Sequence, residues 1–344
     1  MAIKDKETQI HNLNDNFNIG NFNISFPNLT EDIKVVFMGT PTFAVPVLEK
    51  LIDNYNVVLV VCQPDRNKDR KGKVIIPPIK ELALKHNIEV FQPLKLKEDY
   101  QKIIDAKPDI IITCAYGQIV PKIILDYPQY GCINVHGSLL PELRGGAPIH
   151  WAIIRGYKET GITIMHMSEK MDAGDIISQE KIEITDDTTL DSLYHDMSIL
   201  GSELLIKTLP NIINGSADRI KQDEKLVTFG YNISKEDELI DFNKNPREIF
   251  NLVRGLNSIP GAYCIFNDKR MKIYNVEPVN KKVNNEPGTI FEVDNNSFKV
   301  ACKDGYINVL EIAIEGKKRC TVHDYFNGIN KNSLIGSVLN GKKE

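Results

Sequence analysis

The feature that most constrains how this chain folds is a succession of short, unbroken apolar runs separated by helix-like segments. Ile33-Lys34-Val35-Val36-Phe37-Met38 is the first, and Gly39-Thr40-Pro41 breaks it. Phe43 to Ile52 then reads as a helix, with Pro46 in its first turn, where a missing N–H is tolerated. Val57–Val61, Ile88–Phe91, Asp109–Thr113 and Cys132–His136 read as further strands, and Pro78–His86 as another helix. A strand that is apolar on consecutive residues has no solvent face. Strands of that kind alternating with helices imply a Rossmann-like, doubly wound, mostly parallel sheet covered on both sides. Gly161–Met167 and Ile176–Ile184 add two strands, and Thr188–Leu209 is the longest helix, striped by Leu193, Met197, Leu200, Leu204 and Leu205.

The pattern changes near Asn214-Gly215-Ser216 and stays polar to about Lys235. A helix around Ile249 follows. Five short strands come next, at Tyr263–Phe266, Met271–Tyr274, Gly288–Phe291, Ser297–Val300 and Tyr306–Leu310. Turn signals such as Asn267-Asp268, Asn295-Asn296 and Asp304-Gly305 separate them, as in a small OB-like β-barrel. With 344 residues, two domains are expected. The boundaries are a disordered Asn-rich extension (1–32), a catalytic domain (33–213), a linker (214–235), the barrel domain (236–335) and a tail (336–344). The extension lacks both the apolar core of a secretory signal and the Arg-rich, acid-poor character of a transit peptide. No apolar run approaches the roughly 20 residues of a membrane helix. Cys62, Cys114, Cys132, Cys264, Cys302 and Cys320 form no CxxC pair and read as reduced, mostly buried thiols. A cytoplasmic, monomeric protein that makes no membrane contact is expected.

The most informative strand ends Asn134-Val135-His136-Gly137. Alternate residues of a strand share a face, so Asn134 and His136 point the same way. In a doubly wound sheet, ligands bind beyond the carboxyl ends of the strands, which places this pair where a substrate would lie. A lone His hydrogen-bonded in a crowded loop would read no differently, so the pair alone leaves the choice open. Other chemistries lack their patterns. There is no HExxH, the spacing of His136, His150 and His166 is not that of zinc ligands, and Gly39-Thr40-Pro41 is not GxGxxG. No metal is expected.

Residues 131–148, GCINVHGSLLPELRGGAP, resemble the signature of the folate-dependent formyltransferases. Gly39-Thr40-Pro41, Ala115-Tyr116-Gly117, Leu226-Val227-Thr228 and Pro260-Gly261-Ala262 match the same superfamily in order, and the likeness spans about residues 33–335. It implies a catalytic trio of Asn134, His136 and Asp172, a donor pocket at Ser138, Leu139, Leu140 and Pro141, and 10-formyltetrahydrofolate as co-substrate. Formyl transfer to an amine passes through a tetrahedral oxyanion, whose stabilisation by one good donor is worth about 2.7–4 kcal/mol. The Asn134 amide and a protonated His136 can both donate to it, with Asp172 balancing the ring. Asp172 or a water can take the proton that the amine loses.

The acceptor is read from a second place. Residues 63–73, QPDRNKDRKGK, follow the second strand and carry Arg66, Lys68, Arg70, Lys71 and Lys73 against Asp65 and Asp69. Such a run is commonly a solvated crossover. Here it resembles the inserted tRNA-binding loop of methionyl-tRNA formyltransferases, with Arg70 matching the loop's important Arg and Asn67-Lys68-Asp69 replacing the usual Pro-Ala-Gly. The likeness implies initiator methionyl-tRNA as partner, also contacted by the barrel. The net charge of −4 does not oppose this, because a local patch supplies phosphate contacts. Residues 236–344 hold 16 Lys and Arg against 15 Asp and Glu, so any basic surface there is a patch such as Lys317-Lys318-Arg319 or Lys281-Lys282. An amino-sugar formyltransferase, a non-catalytic RNA-binding module and a folate hydrolase are the alternatives.

Overall fold

The computed structural model describes residues 32–66 and 74–340. The 1–31 part of the Asn-rich extension, the loop cations Lys68, Arg70, Lys71 and Lys73, and residues 341–344 lie outside the described residues.

The first domain runs β1 (Lys34–Gly39), a 3₁₀ turn (Thr42–Ala44), α1 (Val45–Asn54), β2 (Asn56–Val61), α2 (Pro78–Lys85), β3 (Val90–Phe91), α3 (Gln101–Asp105) and β4 (Ile110–Cys114). It continues through α4 (Lys122–Leu125), β5 (Cys132–His136), α5 (Pro148–Ile154), β6 (Glu159–His166), β7 (Ile176–Glu183) and α6 (Leu190–Ile213). The strands form one sheet in the order β3-β2-β1-β4-β5-β6-β7. From β3 to β5 neighbours are parallel, whereas β6 runs antiparallel to both β5 and β7. The segment 167–175 is too short for a helical crossover, so β7 has to return antiparallel to β6.

Apolar residues on consecutive positions of β1 serve two cores. Val35 and Phe37 pack with α1 and α6 on one face, and Val36 and Met38 pack with Leu96, Ile103, Tyr116 and Ile124 on the other. Burying each such side chain is worth roughly 1.5–3 kcal/mol, which is why unbroken apolar runs here demand helices on both sides. Helix α6 starts from a capping box in which the Thr189 side chain accepts from Ser192 N.

The second domain opens with α7 (Pro246–Gly255), started by an Asn245/Glu248 capping box. An antiparallel six-stranded sheet follows: β8 (Ala262–Phe266), β9 (Lys269–Val279), β10 (Ile290–Val293), β11 (Phe298–Cys302), β12 (Gly305–Ile314) and β13 (Cys320–Thr321). Helix α8 (Val322–Phe326) comes next. The order is β10-β11-β12-β9-β8, with β13 on β12. Val338 bridges Thr289 beside β10, and Asn340 bridges Ile265 of β8, so the chain beyond residue 335 joins the two edges and Leu339 enters the core. The domains meet where α7 crosses α5. There the buried Arg254 donates to the Thr185 and Thr188 carbonyls, and Gly255 passes so close that an added Cβ would lie 2.7 Å from Ile154 Cγ1.

Among the described residues no helix is long and apolar enough to cross a membrane. All six cysteines are free, five of them buried. Burial pushes the Cys62 thiol up to about 11 and Cys132, Cys264 and Cys302 to about 12, so none of these four is a ready thiolate.

Candidate active site

Strand β5 lies between β4 and β6 and delivers Asn134 and His136 to the carboxyl edge of the parallel strands. Thr113, the last polar residue before β4 ends, pairs in register with Asn134. Its hydroxyl donates to Asn134 Oδ1 at 2.8 Å, which fixes the amide oxygen inward and leaves the NH₂ as the end free to turn outward.

His136 is buried. Its Nε2 lies 3.1 Å from the Leu143 carbonyl, which can only accept, so this nitrogen carries a proton. Its Nδ1 faces Asp172 Oδ1 at 3.7 Å, too long for a hydrogen bond but within ion-pair range. The predicted trio is therefore brought together, and the 36-residue gap between His136 and Asp172 is closed by the β6–β7 hairpin.

Asp172 is held by two partners, Gly145 and Gln222. Its Oδ2 accepts from Gly145 N at 2.8 Å. Its backbone adopts φ +50°, a left-handed conformation that costs an ordinary L-residue energy and needs support from its surroundings. That support comes from Gln222, whose Nε2 donates to the carbonyls of Asp172 and Gly174, each at 2.8 Å. The other end of Gln222 accepts from the buried Arg144 at 3.0 and 2.8 Å. Arg144 also pairs with Glu224 at 3.0 Å and holds that carboxyl below its ordinary range. Sequence reasoning missed Gln222, Arg144 and Thr113. Thr113 could have been found from its place at the strand end. Gln222 sits in a polar linker with no periodicity and gives no such signal.

The expected donor-pocket residues are placed unequally. Ser138 is buried, its hydroxyl donating to the Glu142 carbonyl at 2.7 Å, and Leu140 packs against Met165 and Ile176. Thr163 ties the turn together, donating to the Ser138 carbonyl at 2.6 Å and accepting from Leu140 N at 3.1 Å. Leu139 and Pro141 remain half-buried at the edge. Across the sheet, Thr40 and Gln63 both donate to the Tyr116 carbonyl, at 3.0 and 3.1 Å, and so hold the ends of β1, β2 and β4 together. Arg66, the one described loop cation, bridges Ile75 and pinches the loop at its base. Beside it Lys80 clamps Asp65 at 2.7 Å. No cluster of three or more His, Cys, Asp or Glu side chains fit for a metal occurs among the described residues.

The family model described as formyl transferase matches residues 33–209, more than half the chain, and the formyl transferase C-terminal domain model matches residues 232–330. The chain belongs to the formyl transferase family. This formyl transferase is 47% identical over 314 residues to the methionyl-tRNA formyltransferase of Halalkalibacterium halodurans, covering 90% of this chain and 99% of that one. It is 50% identical over 300 residues to the enzyme of the same name from Bacillus cytotoxicus, covering 86% and 96%. In fold it is similar to the N-formyltransferase of Helicobacter canadensis in complex with folinic acid and dTDP-3-aminofucose, with TM-score 0.61, 24% identity, and coverage of 80% of this chain and 98% of that one. It is also similar to HypX of Aquifex aeolicus in complex with tetrahydrofolic acid, with TM-score 0.57, 17% identity and 85% of this chain covered. This formyl transferase spans 46% of HypX.

Proposed function

We propose that the chain transfers a formyl group from 10-formyltetrahydrofolate to the amino group of methionine carried by initiator tRNA, acting as a monomer in the cytoplasm. One observation carries the choice of acceptor: identity of 45–50% to methionyl-tRNA formyltransferases extends through both domains and about nine-tenths of the chain. Residues 33–213 perform the chemistry, and the barrel at 236–335 grips the tRNA across the 214–235 linker.

The amine nitrogen attacks the formyl carbon, and the carbonyl electron pair moves onto oxygen. The outward NH₂ of Asn134 donates to this oxyanion. His136 Nε2–H, which meets the Leu143 carbonyl at 3.1 Å, turns to the oxyanion as well, because full negative charge outcompetes a neutral carbonyl. Asp172 faces the ring on its Nδ1 side and takes the amine's proton, directly or through a water. Collapse of the intermediate breaks the bond from carbon to the folate nitrogen, which leaves with the proton that Asp172 took from the amine, passed on directly or through a water. Leu139 and Pro141 line the folate, while Ser138 and Leu140 shape the turn beneath it. Arg66, Lys68, Arg70, Lys71 and Lys73 steer the acceptor end of the tRNA.

Turnover with 10-formyltetrahydrofolate and either charged initiator tRNA or a nucleotide-linked amino sugar tests the proposal. Formyl-methionyl-tRNA is the expected product. Formylation of the sugar alone, or release of formate with no acceptor consumed, overturns it. Within the tRNA arm, Arg70→Ala should reduce the dependence of log affinity on log salt by about one unit.

A further inference from the structure

The linker carries an exposed aromatic pair that the chemistry above does not use. Phe229 and Tyr231 stack with ring centroids 5.2 Å apart and planes inclined by 4°. Phe229 is 38% exposed and Tyr231 60% exposed. Three features of the local geometry make this a fixed platform.

Gly230 faces inward. A Cβ there would lie 3.1 Å from Trp151 Cδ1 and 3.2 Å from Pro148 Cα, both on α5. Alternate residues of an extended segment point oppositely, so the rings at 229 and 231 face outward. The backbone beneath them is bonded on both sides. Gly230 N donates to the Arg144 carbonyl at 2.8 Å, and Ala147 N donates to the Gly230 carbonyl at 2.9 Å. The Trp151 indole N–H donates to the Tyr231 carbonyl at 2.7 Å, and Arg155 donates to the Phe229 carbonyl at 2.8 Å. The Arg155 guanidinium in turn covers the Trp151 ring at 4.8 Å. Two exposed rings with a guanidinium alongside, all fixed by main-chain bonds, are the elements with which proteins stack unpaired nucleobases.

The position selects the ligand. The 144–147 segment that the linker pairs with also supplies Gly145 N, which donates to Asp172. The rings are therefore separated from the acceptor side of the reaction centre by one stretch of bonded backbone. An aminoacylated RNA presents its amine at the end of an unpaired strand, and the bases just behind the ester must lie near that backbone while the amine reaches His136.

We propose that Tyr231, backed by Phe229, is a stacking platform for an unpaired nucleobase of the acceptor end, extending the pair's stack by one ring. The inference rests on the tRNA substrate proposed above. It places a positioning element for the RNA in the linker, apart from the basic loop at 66–73.

The test compares wild type, Tyr231→Ala, Tyr231→Phe and Phe229→Ala for kcat and KM on charged initiator tRNA and for KM on the folate. A charged tRNA bearing 2-aminopurine at an unpaired acceptor-end position reports stacking through quenched fluorescence. Tyr231→Ala should raise KM for the tRNA about tenfold, the effect of losing one base–aromatic stack, with kcat and folate KM unchanged. It should also lose the quench that wild type shows. Phe229→Ala should weaken both readouts in the same direction, and Tyr231→Phe, which keeps the ring face, should preserve them. Unchanged tRNA KM and quench in Tyr231→Ala overturn the platform. So does a loss shared equally by kcat and folate KM, which would mark the pair as structural support. If wild type does not formylate the tRNA at all, the functional proposal itself falls, an outcome distinct from failure of the platform.

Discussion

The two sheets of this molecule distribute their buried polar groups in opposite ways. Around the seven-stranded sheet, Thr113, His136, Ser138, Arg144 and Thr163 are buried within one neighbourhood, at the carboxyl edge of β4 and β5 and the turns beside it, with Thr160 near the start of β6 the one buried polar strand residue outside it among the described residues. In the antiparallel sheet the buried strand residues are apolar, and the polar exceptions of that domain serve joints. Asn251 and Arg254 hold the seam with the first domain, Glu238 pairs with Lys235 where the linker enters, and Ser297 closes the turn after β10. Buried polar groups cost energy unless they are paired. Where they accumulate and are all paired, as around His136, the expense has a functional reason. Where they are scattered, they fix geometry. This pattern supports the proposal that the first domain carries the chemistry, with the second held against it through a fixed seam.

Substitutions in the two regions should separate rate from stability. The largest effect is expected at the edge of β5. His136→Ala should lower kcat by about 10²–10³-fold, and Asn134→Ala similarly, with tRNA binding nearly intact. An unchanged kcat would dissolve the contrast between the domains. Next comes the support of Asp172. Gln222→Ala removes both carbonyl contacts, and a shift of about 1 Å in a catalytic group costs up to 10²-fold, so a fall of tenfold or more in kcat is expected. Gln222→Glu keeps an acceptor for Arg144 but loses the donors. If it were as active as wild type, the bonds to the Asp172 loop would be irrelevant to rate.

The barrel side should behave differently. Arg254→Ala opens the seam between α7 and the Thr185–Thr188 turn and should cost about 1–3 kcal/mol in denaturant unfolding. Its kcat on saturating tRNA should change by less than about threefold. A rate loss exceeding the stability loss would show that the seam tunes the chemistry.

The smallest effect concerns pH. Burial lowers His150, on α5, to about 4 from its ordinary value of about 6.5. The neutral ring is therefore the folded form. Above pH 6.5 His150 makes no difference to stability. Between pH 6.5 and 4 the unfolded chain takes up a proton that the folded chain refuses, so stability falls as pH falls. The loss is of the order of 1–3 kcal/mol, and His150→Gln should flatten it, read as melting temperature against pH. Equal slopes in the two proteins would mean that the ring is hydrated when folded.

Much of this was legible because it is local. The consecutive apolar residues of β1, β2, β4 and β5 allow only a two-sided burial, and an Asn and a His two positions apart on such a strand must share a face. The resemblance around residues 131–148 pointed to the residues the fold then gathered. Short helices such as α3, α4 and α5 escaped detection, since four to seven residues are too few to show a period. Strand β9 runs to Val279, beyond the expected Tyr274, because β12 pairs along its whole length. Past Ile273 its other edge has no β8 partner, so Pro278, which has no N–H to offer, is tolerated there.

By itself the amino-acid sequence determined the layered sheet, the second β domain and the Asn134–His136 pair, because each follows from side chains a few positions apart. Tertiary structure alone decided how Asp172 is held, which way the Asn134 amide faces, that residues 338–340 join the edges of the second sheet, and that Phe229 and Tyr231 face outward together. Each of these depends on groups tens of residues distant in the chain, such as Thr113 against Asn134, Gln222 beneath Asp172 or Gly230 against α5. Hydrogen bonds to main chain leave no mark in residue type, because every residue offers the same carbonyl and, proline aside, the same N–H.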